Sequence, residues 1–204
     1  MSRYTEAVKL QKKLAPKVIT KDVIKKISTV CAVDVAYKDG IANAAAVVVD
    51  ACTLEVLEHV TCATRIVAPY VPGLMMLRES GPAISALKLL KNRFDVLLVD
   101  GNGQLHPRRF GLACYLGMLL DVPTIGVAKS LLCGITKGSF VLLGGKRTAK
   151  VLERKKGKKI FVSIGNKMSL RSASRLADSL IMDGRWLPEP LRLADMYSKS
   201  RQRT

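Results

Sequence analysis

The chain has 204 residues, and a hydrophobic fraction of 49% gives it enough apolar side chain to bury a core and excludes a disordered tail-like protein. Lys and Arg total 34 against 16 Asp and Glu, a formal charge of +18, which points to a polyanionic partner, nucleic acid first and a membrane surface as the rival. No apolar run reaches the roughly 18 residues needed to span a bilayer, and MSRYTEAVKLQKKL has no signal-peptide stretch, so a cytoplasmic, monomeric protein of one domain, 1–204, is expected.

The first predicted element is a short basic helix over 4–15. Two β-rich stretches follow, STVCAVDVAY (28–37) and IANAAAVVVD (41–50), separated by Asp39-Gly40, a strong tight-turn signal. LEVLEHVTCA (54–63) completes an antiparallel meander. Prolines and a glycine in RIVAPYVPG oppose a helix there, whereas SGPAISALKLLKN predicts one over about 81–92, with Ser80 or Gly81 as cap and Pro82 at the first helical position. DVLLVD (95–100) is continuously apolar, as a strand buried on both faces would be. PRRFGLACYLGMLLD (107–121) reads as a helix leading to the strand TIGVA, a spacing that predicts parallel pairing through a helical crossover. Two late strands flank a turn at Lys155–Lys159, a helical stripe covers 169–181 with Arg171 and Arg175 off it, and a last helix lies near PEPLRLADMYS. The five cysteines (31, 52, 62, 114, 133) contain no C-x-x-C pair and mostly sit in apolar segments, so free buried thiols are expected rather than a zinc site.

Three carboxylates stand out. Asp34 lies mid-strand in CAVDVAY, sharing a face with Ala32 and Ala36, and an unpaired charge in such apolar surroundings needs a cation, a metal or strong donors. Asp100 ends a buried strand, where ligands gather in open α/β sheets, though Asp-Gly is also an ordinary turn dipeptide. Glu79 beside Arg78 would alone read as a solvated ion pair at a helix start. Brought together, the three would form a negative pocket in a positive protein. Such a pocket suits Mg²⁺, with Mn²⁺ as substitute, and metal-assisted phosphodiester cleavage.

In order, VDVAY, APYVPGLMMLRES, LLVDGNGQLHPRRFGLA, PTIGVAKSLL and LPEPLRLAD resemble the endonuclease V family, deoxyinosine-specific nucleases with an RNase H-like core. The resemblance runs from about residue 28 to 195. It implies an α/β, RNase H-like fold: a mixed sheet, meander plus parallel strands, flanked by helices. Asp34, Glu79 and Asp100 match the family's metal-binding carboxylates. Tyr70 matches the aromatic wedge that enters DNA at the lesion, while Gly73, Met75, Gly101, Gly103 and Leu132 fall where the family forms its hypoxanthine pocket. His106 and Lys129 match positions near the cut phosphate. One departure is Asn166, which stands in SIGNK where the family commonly has a histidine completing the metal site. Asn can lend a carbonyl oxygen but cannot ionise.

The expected function is therefore nicking of DNA at the second phosphodiester bond 3′ to deoxyinosine, leaving 3′-hydroxyl and 5′-phosphate ends. Two alternatives stay open: an inosine-specific endoribonuclease on the same fold, and a non-catalytic basic nucleic-acid binder.

Overall fold

A computed structural model describes residues 2–154 and 157–200; Lys155 and Lys156 of the expected lysine-rich turn lie outside them. Helix α1 (Arg3–Leu14) and a short 3₁₀ turn precede β1 (Thr29–Lys38), β2 (Ile41–Asp50) and β3 (Val56–Arg65). Then come α2 (Met76–Leu87), β4 (Val96–Asp100), α3 (Leu112–Leu119) and β5 (Thr124–Ala128). The chain closes with β6 (Ile135–Lys137), β7 (Phe140–Leu143), β8 (Lys146–Glu153), β9 (Lys159–Asn166), α4 (Leu170–Ser179) and α5 (Glu189–Lys199).

These strands form one sheet in the order β3-β2-β1-β4-β5-β9-β8-β7-β6. The meander is present as expected, and its first turn places both Asp39 and Gly40 at positive φ, 50° and 77°, the geometry a two-residue hairpin of this twist needs. β1, β4 and β5 are parallel, while β9 returns antiparallel to β5. With helices on both faces, this is the RNase H-like α/β arrangement.

Period-two alternation assigns the faces. Val30 and Ala32 of β1, with Val96 and Leu98 of β4, pack against Ala173 and Ala177 of α4 and Leu191 and Ala194 of α5. Cys31, Val33, Leu97 and Val99 face the other way, onto Ala83 and Ala86 of α2 and Ala113 and Leu116 of α3. Because Val33 registers with Val99, the next residues on these neighbouring strands are Asp34 and Asp100. Both continue the row that faces α5.

The structure departs from these expectations in four places. Helix α2 starts at Met76, not near 81, and keeps Pro82 inside it. Gly73 (φ 74°) turns the chain, Leu74 donates to the Val71 carbonyl at 2.9 Å, and buried Leu74 and Met76 draw the segment onto the core. A proline inside a helix costs about 3 kcal/mol; here Pro82, Ala83, Ala86 and Leu87 are all buried, and their burial offsets it. Helix α3 starts at Leu112 rather than 107, since residues 101–111 form a tightly bonded loop instead. The hairpin β6–β7, too short to show alternation, was not expected. Of the cysteines, Cys31 and Cys114 are buried, but Cys52 is exposed.

Candidate active site

Asp34 and Asp100 are joined by Asp195 of α5: one carboxylate oxygen from each lies within 4.8 Å of the others. The three side chains come from a strand interior, a strand end and a helix. Ser198, one turn beyond Asp195, places its hydroxyl 2.9 Å from Asp34 Oδ2 and 3.0 Å from the Asp195 carbonyl, tying the helix to the strand. Lys129, the residue after β5, donates from Nζ to Asp100 Oδ2 at 2.5 Å and to Asp195 Oδ1 at 3.0 Å. Lys199 donates to the other Asp195 oxygen at 2.7 Å. Glu79 and Met75 enter from α2 and its approach, lining the same hollow of about 260 Å³ without joining the 4.8 Å set.

The electrostatics follow from that crowding. Burial, then the charges of Asp34 and Asp100, pushes Glu79 up to about 8. Burial and Asp34 push Asp100 up to about 6 against the pull of Lys129. Asp195 is also penalised by burial, but hydrogen bonds from Lys199 and Lys129 outweigh that and hold its carboxyl below the ordinary range. Burial disfavours the Lys129 ammonium, yet Asp100 and Asp195 more than compensate and raise its pKa. Lys129 thus partly neutralises a site still short of positive charge. The donors are carboxylate oxygens with no thiolate or imidazole, which suits a hard divalent cation such as Mg²⁺ or Mn²⁺ and disfavours zinc.

A second hollow, of about 100 Å³, adjoins the first and shares Met75 with it. Tyr70, Gly73, Asn102, His106 and Leu132 also line it. The loop that forms its rim is fastened at one atom. The Gly73 carbonyl accepts from Gln11 Nε2 (3.1 Å), His106 Nε2 (2.9 Å) and Arg108 Nη2 (2.7 Å), and Arg108 Nε donates to Gln11 Oε1 at 2.6 Å. A Cβ on Gly73 would lie 2.9 Å from Arg108 Nη2 and would need positive φ, so any other residue would be strained and would push on the bonded guanidinium. His106 accepts the Arg108 N–H at Nδ1 (3.2 Å), which leaves the proton on Nε2 for Gly73. Its burial pushes it down to about 4, so it is a neutral fastener at physiological pH.

The structure therefore brings Asp34, Glu79, Asp100 and Lys129 to one hollow, and Tyr70, Gly73, Met75, His106 and Leu132 to its neighbour. His106 engages the pocket loop with both nitrogens and makes no contact with the carboxylates. Gly101, at φ 152°, packs by Leu112 and Met75, and Gly103 abuts β9, where a Cβ would sit 2.0 Å from the Ile164 carbonyl oxygen; neither lines the pocket, though Asn102 between them does. Tyr70 is 59% exposed at the mouth of this second hollow.

Asn166 is not brought to the metal hollow. It registers with Thr124 at the start of β5, whereas Asp100 registers with Val127 near its end. Its amide instead accepts from Ile19 N and donates to the Gly117 carbonyl, each at 3.1 Å. Asp195 takes the place expected of it. Its place on the buried face of the last helix, between Leu191 and Ser198, emerges only from the structure. Gln11 and Asn102 also line the second hollow; nothing local marks Gln11, whereas Asn102 stands between Gly101 and Gly103 in the DGNG block.

A mixed RNase H-like sheet with carboxylates gathered beyond its parallel strands, in a strongly basic chain, defines a nuclease that hydrolyses phosphodiester bonds. The Endonuclease V family model matches residues 12–196, and the chain belongs to that family. Endonuclease V of Thermofilum pendens is 49% identical over 175 residues, covering 81% of this chain and 74% of its own. The crystal structure of Endonuclease V from Bacillus subtilis matches with a TM-score of 0.89 at 33% identity, over 97% of this chain and 91% of that one. Ciona intestinalis Endonuclease V, in complex with a 24mer DNA containing an inosine followed by a ribo-adenosine, matches with a TM-score of 0.87 at 29% identity, over 96% of each chain. Among the described residues no helix is long and apolar enough to cross a membrane.

Proposed function

We propose that this chain nicks DNA at the second phosphodiester bond 3′ to deoxyinosine, leaving 3′-hydroxyl and 5′-phosphate ends, with Mg²⁺ as cofactor and Mn²⁺ able to replace it. The observation that carries the reading is the Asp34–Asp100–Asp195 cluster, bridged by Lys129 and adjoining a separate pocket that shares Met75. Asp34, Asp100 and Asp195 would hold the cation, with Glu79 facing it. When bound, the ion supplies Lewis acidity toward the scissile phosphodiester. Lys129 adds an ammonium that offsets charge on that group as it is cut.

The neighbouring pocket supports recognition of the base away from the cut. Tyr70 presents a ring that stacks where one nucleotide has rotated out. Asn102 Oδ1 is buried without a hydrogen-bond partner, an acceptor suited to the N1–H of hypoxanthine, which adenine lacks. A close backbone wall rejects the exocyclic amine of guanine sterically. Gln11, His106 and Arg108 position this wall through Gly73.

The test is a nicking assay on a duplex with one inosine, in Mg²⁺ and in EDTA, beside a matched RNA. A single Mg²⁺-dependent nick in the DNA is expected. Uniform degradation of unmodified DNA would refute the lesion specificity, and preferential cutting of the RNA would make the chain a ribonuclease. No Mg²⁺-dependent cutting of either would leave a nucleic-acid binder.

A further inference from the structure

Away from the metal hollow, a groove of about 460 Å³ separates the first turns of α4 from strands β7 and β8. Its walls carry Arg147, Lys150, Arg171 and Arg175 and no carboxylate. Among the described residues none of these four forms an ion pair. Arg147 and Lys150 are instead held over the ring of Phe140, with their charges 4.6 and 4.5 Å from its centroid, and Lys150 also donates to Ser139 Oγ at 2.7 Å. Asp22, which meets the start of α4, accepts from Ser169 N and Ser172 Oγ and does not line the groove.

Four like charges gathered without counter-charge repel one another and cost stability unless an anion joins them. Ordering by Phe140 reduces what two of them lose on binding. We propose that this groove binds the sugar-phosphate backbone of the nucleic acid, outside the segment being cut. The inference rests on the nuclease reading for the identity of its ligand. β7 and β8 stand three to four strands from β4, so at about 4.8 Å per strand the groove lies roughly 15–20 Å along the sheet from Asp100. That corresponds to about five base pairs of duplex.

The experiment measures affinity of Arg171→Gln/Arg175→Gln for an inosine-free 30-bp duplex in EDTA, over a range of salt. Lys25→Gln/Lys26→Gln, equal in charge change and exposed just before β1, is the control. Loss of two phosphate contacts should flatten the slope of log K against log salt by about 1.8, with roughly tenfold weaker binding at moderate salt, while the control keeps its slope. Equal changes in both variants would mean that only net charge matters, and unchanged binding in the arginine variant would overturn the groove; so would loss of binding to phosphatidylserine vesicles with duplex binding intact. Because no inosine or cleavage enters, the outcome is separable from the nicking assay. Matching thermal melts of both variants confirm that the fold is intact.

Discussion

The two hollows above the sheet share Met75 and are built on opposite principles. The acidic one is made of side-chain charges that repel, and it raises the pKa of both Glu79 and Asp100. The other is held by hydrogen bonds that converge on the Gly73 carbonyl from Gln11, a neutral His106 and the Arg108 guanidinium, with no pair of like charges facing one another. One stores unfavourable electrostatics that a bound cation relieves; the other is satisfied before any ligand arrives, apart from Asn102 Oδ1. On the proposed function, the two hollows should therefore respond differently to substitution.

The sharpest way to break this contrast is to neutralise a carboxylate. Asp195→Asn and Asp100→Asn should each lower nicking by about a thousandfold or more in a single-turnover assay, while duplex binding in EDTA is kept. In the metal-free protein Asp100→Asn should raise the melting temperature, because a carboxylate crowded by Asp34 has been removed, whereas Asp195→Asn, which gives up the bonds from Lys129 and Lys199, should lower it. An Asp100→Asn variant that lost both activity and stability would contradict the stored repulsion. Lys129→Ala should cost about a hundredfold in the cutting rate, read at saturating enzyme.

In the pocket the expectation reverses. His106→Ala removes one of three donors to the Gly73 carbonyl, leaves the Arg108 N–H without its acceptor and opens a cavity where a buried ring stood, and should cost about 1–3 kcal/mol of stability. It should also reduce the preference for inosine over adenine roughly tenfold through loss of substrate affinity, with the saturated cutting rate little changed. A loss confined to the saturated rate would place His106 in the chemistry instead.

The smallest effect is the dependence of metal-free stability on pH. Glu79 in the fold titrates near 8, above its ordinary 4.5, so its contribution to stability is complete below 4.5 and is lost as pH rises through 8. His106 works in the other sense: its folded value of about 4 lies below 6.5, so its contribution is lost as pH falls. Between pH 7 and 8.5 His106 is mostly neutral in both states. There the melting temperature in EDTA should fall by roughly 2–4 °C, for about 1 kcal/mol. Excess Mg²⁺ should abolish that fall, and so should Glu79→Gln.

Much of the scaffold was legible because its signals are local. Asp39-Gly40 between two β-rich runs specifies a hairpin, and the uninterrupted VLLV announces a strand covered on both faces. Helix α2 was misplaced because burial of Met76 and of Pro82 through Leu87 overrides the preference of proline for a helix start. Asp34 and Asp100 could be marked as carboxylates out of place among valines and leucines. Asp195 was passed over because an aspartate in a polar helix is unremarkable until its buried face is known.

Composition, alternation and turn residues by themselves determined a basic α/β protein with a meander, parallel strands and carboxylates needing a partner, since each of those signals lies within a few residues. Only the tertiary structure decided the membership of the sites: that Asp195 completes the cluster, that Asn166 sits at the far end of β5, and that His106 serves the pocket loop. Those facts depend on register between strands and on how α5 lies across them, distances set by packing among residues up to about 160 positions apart.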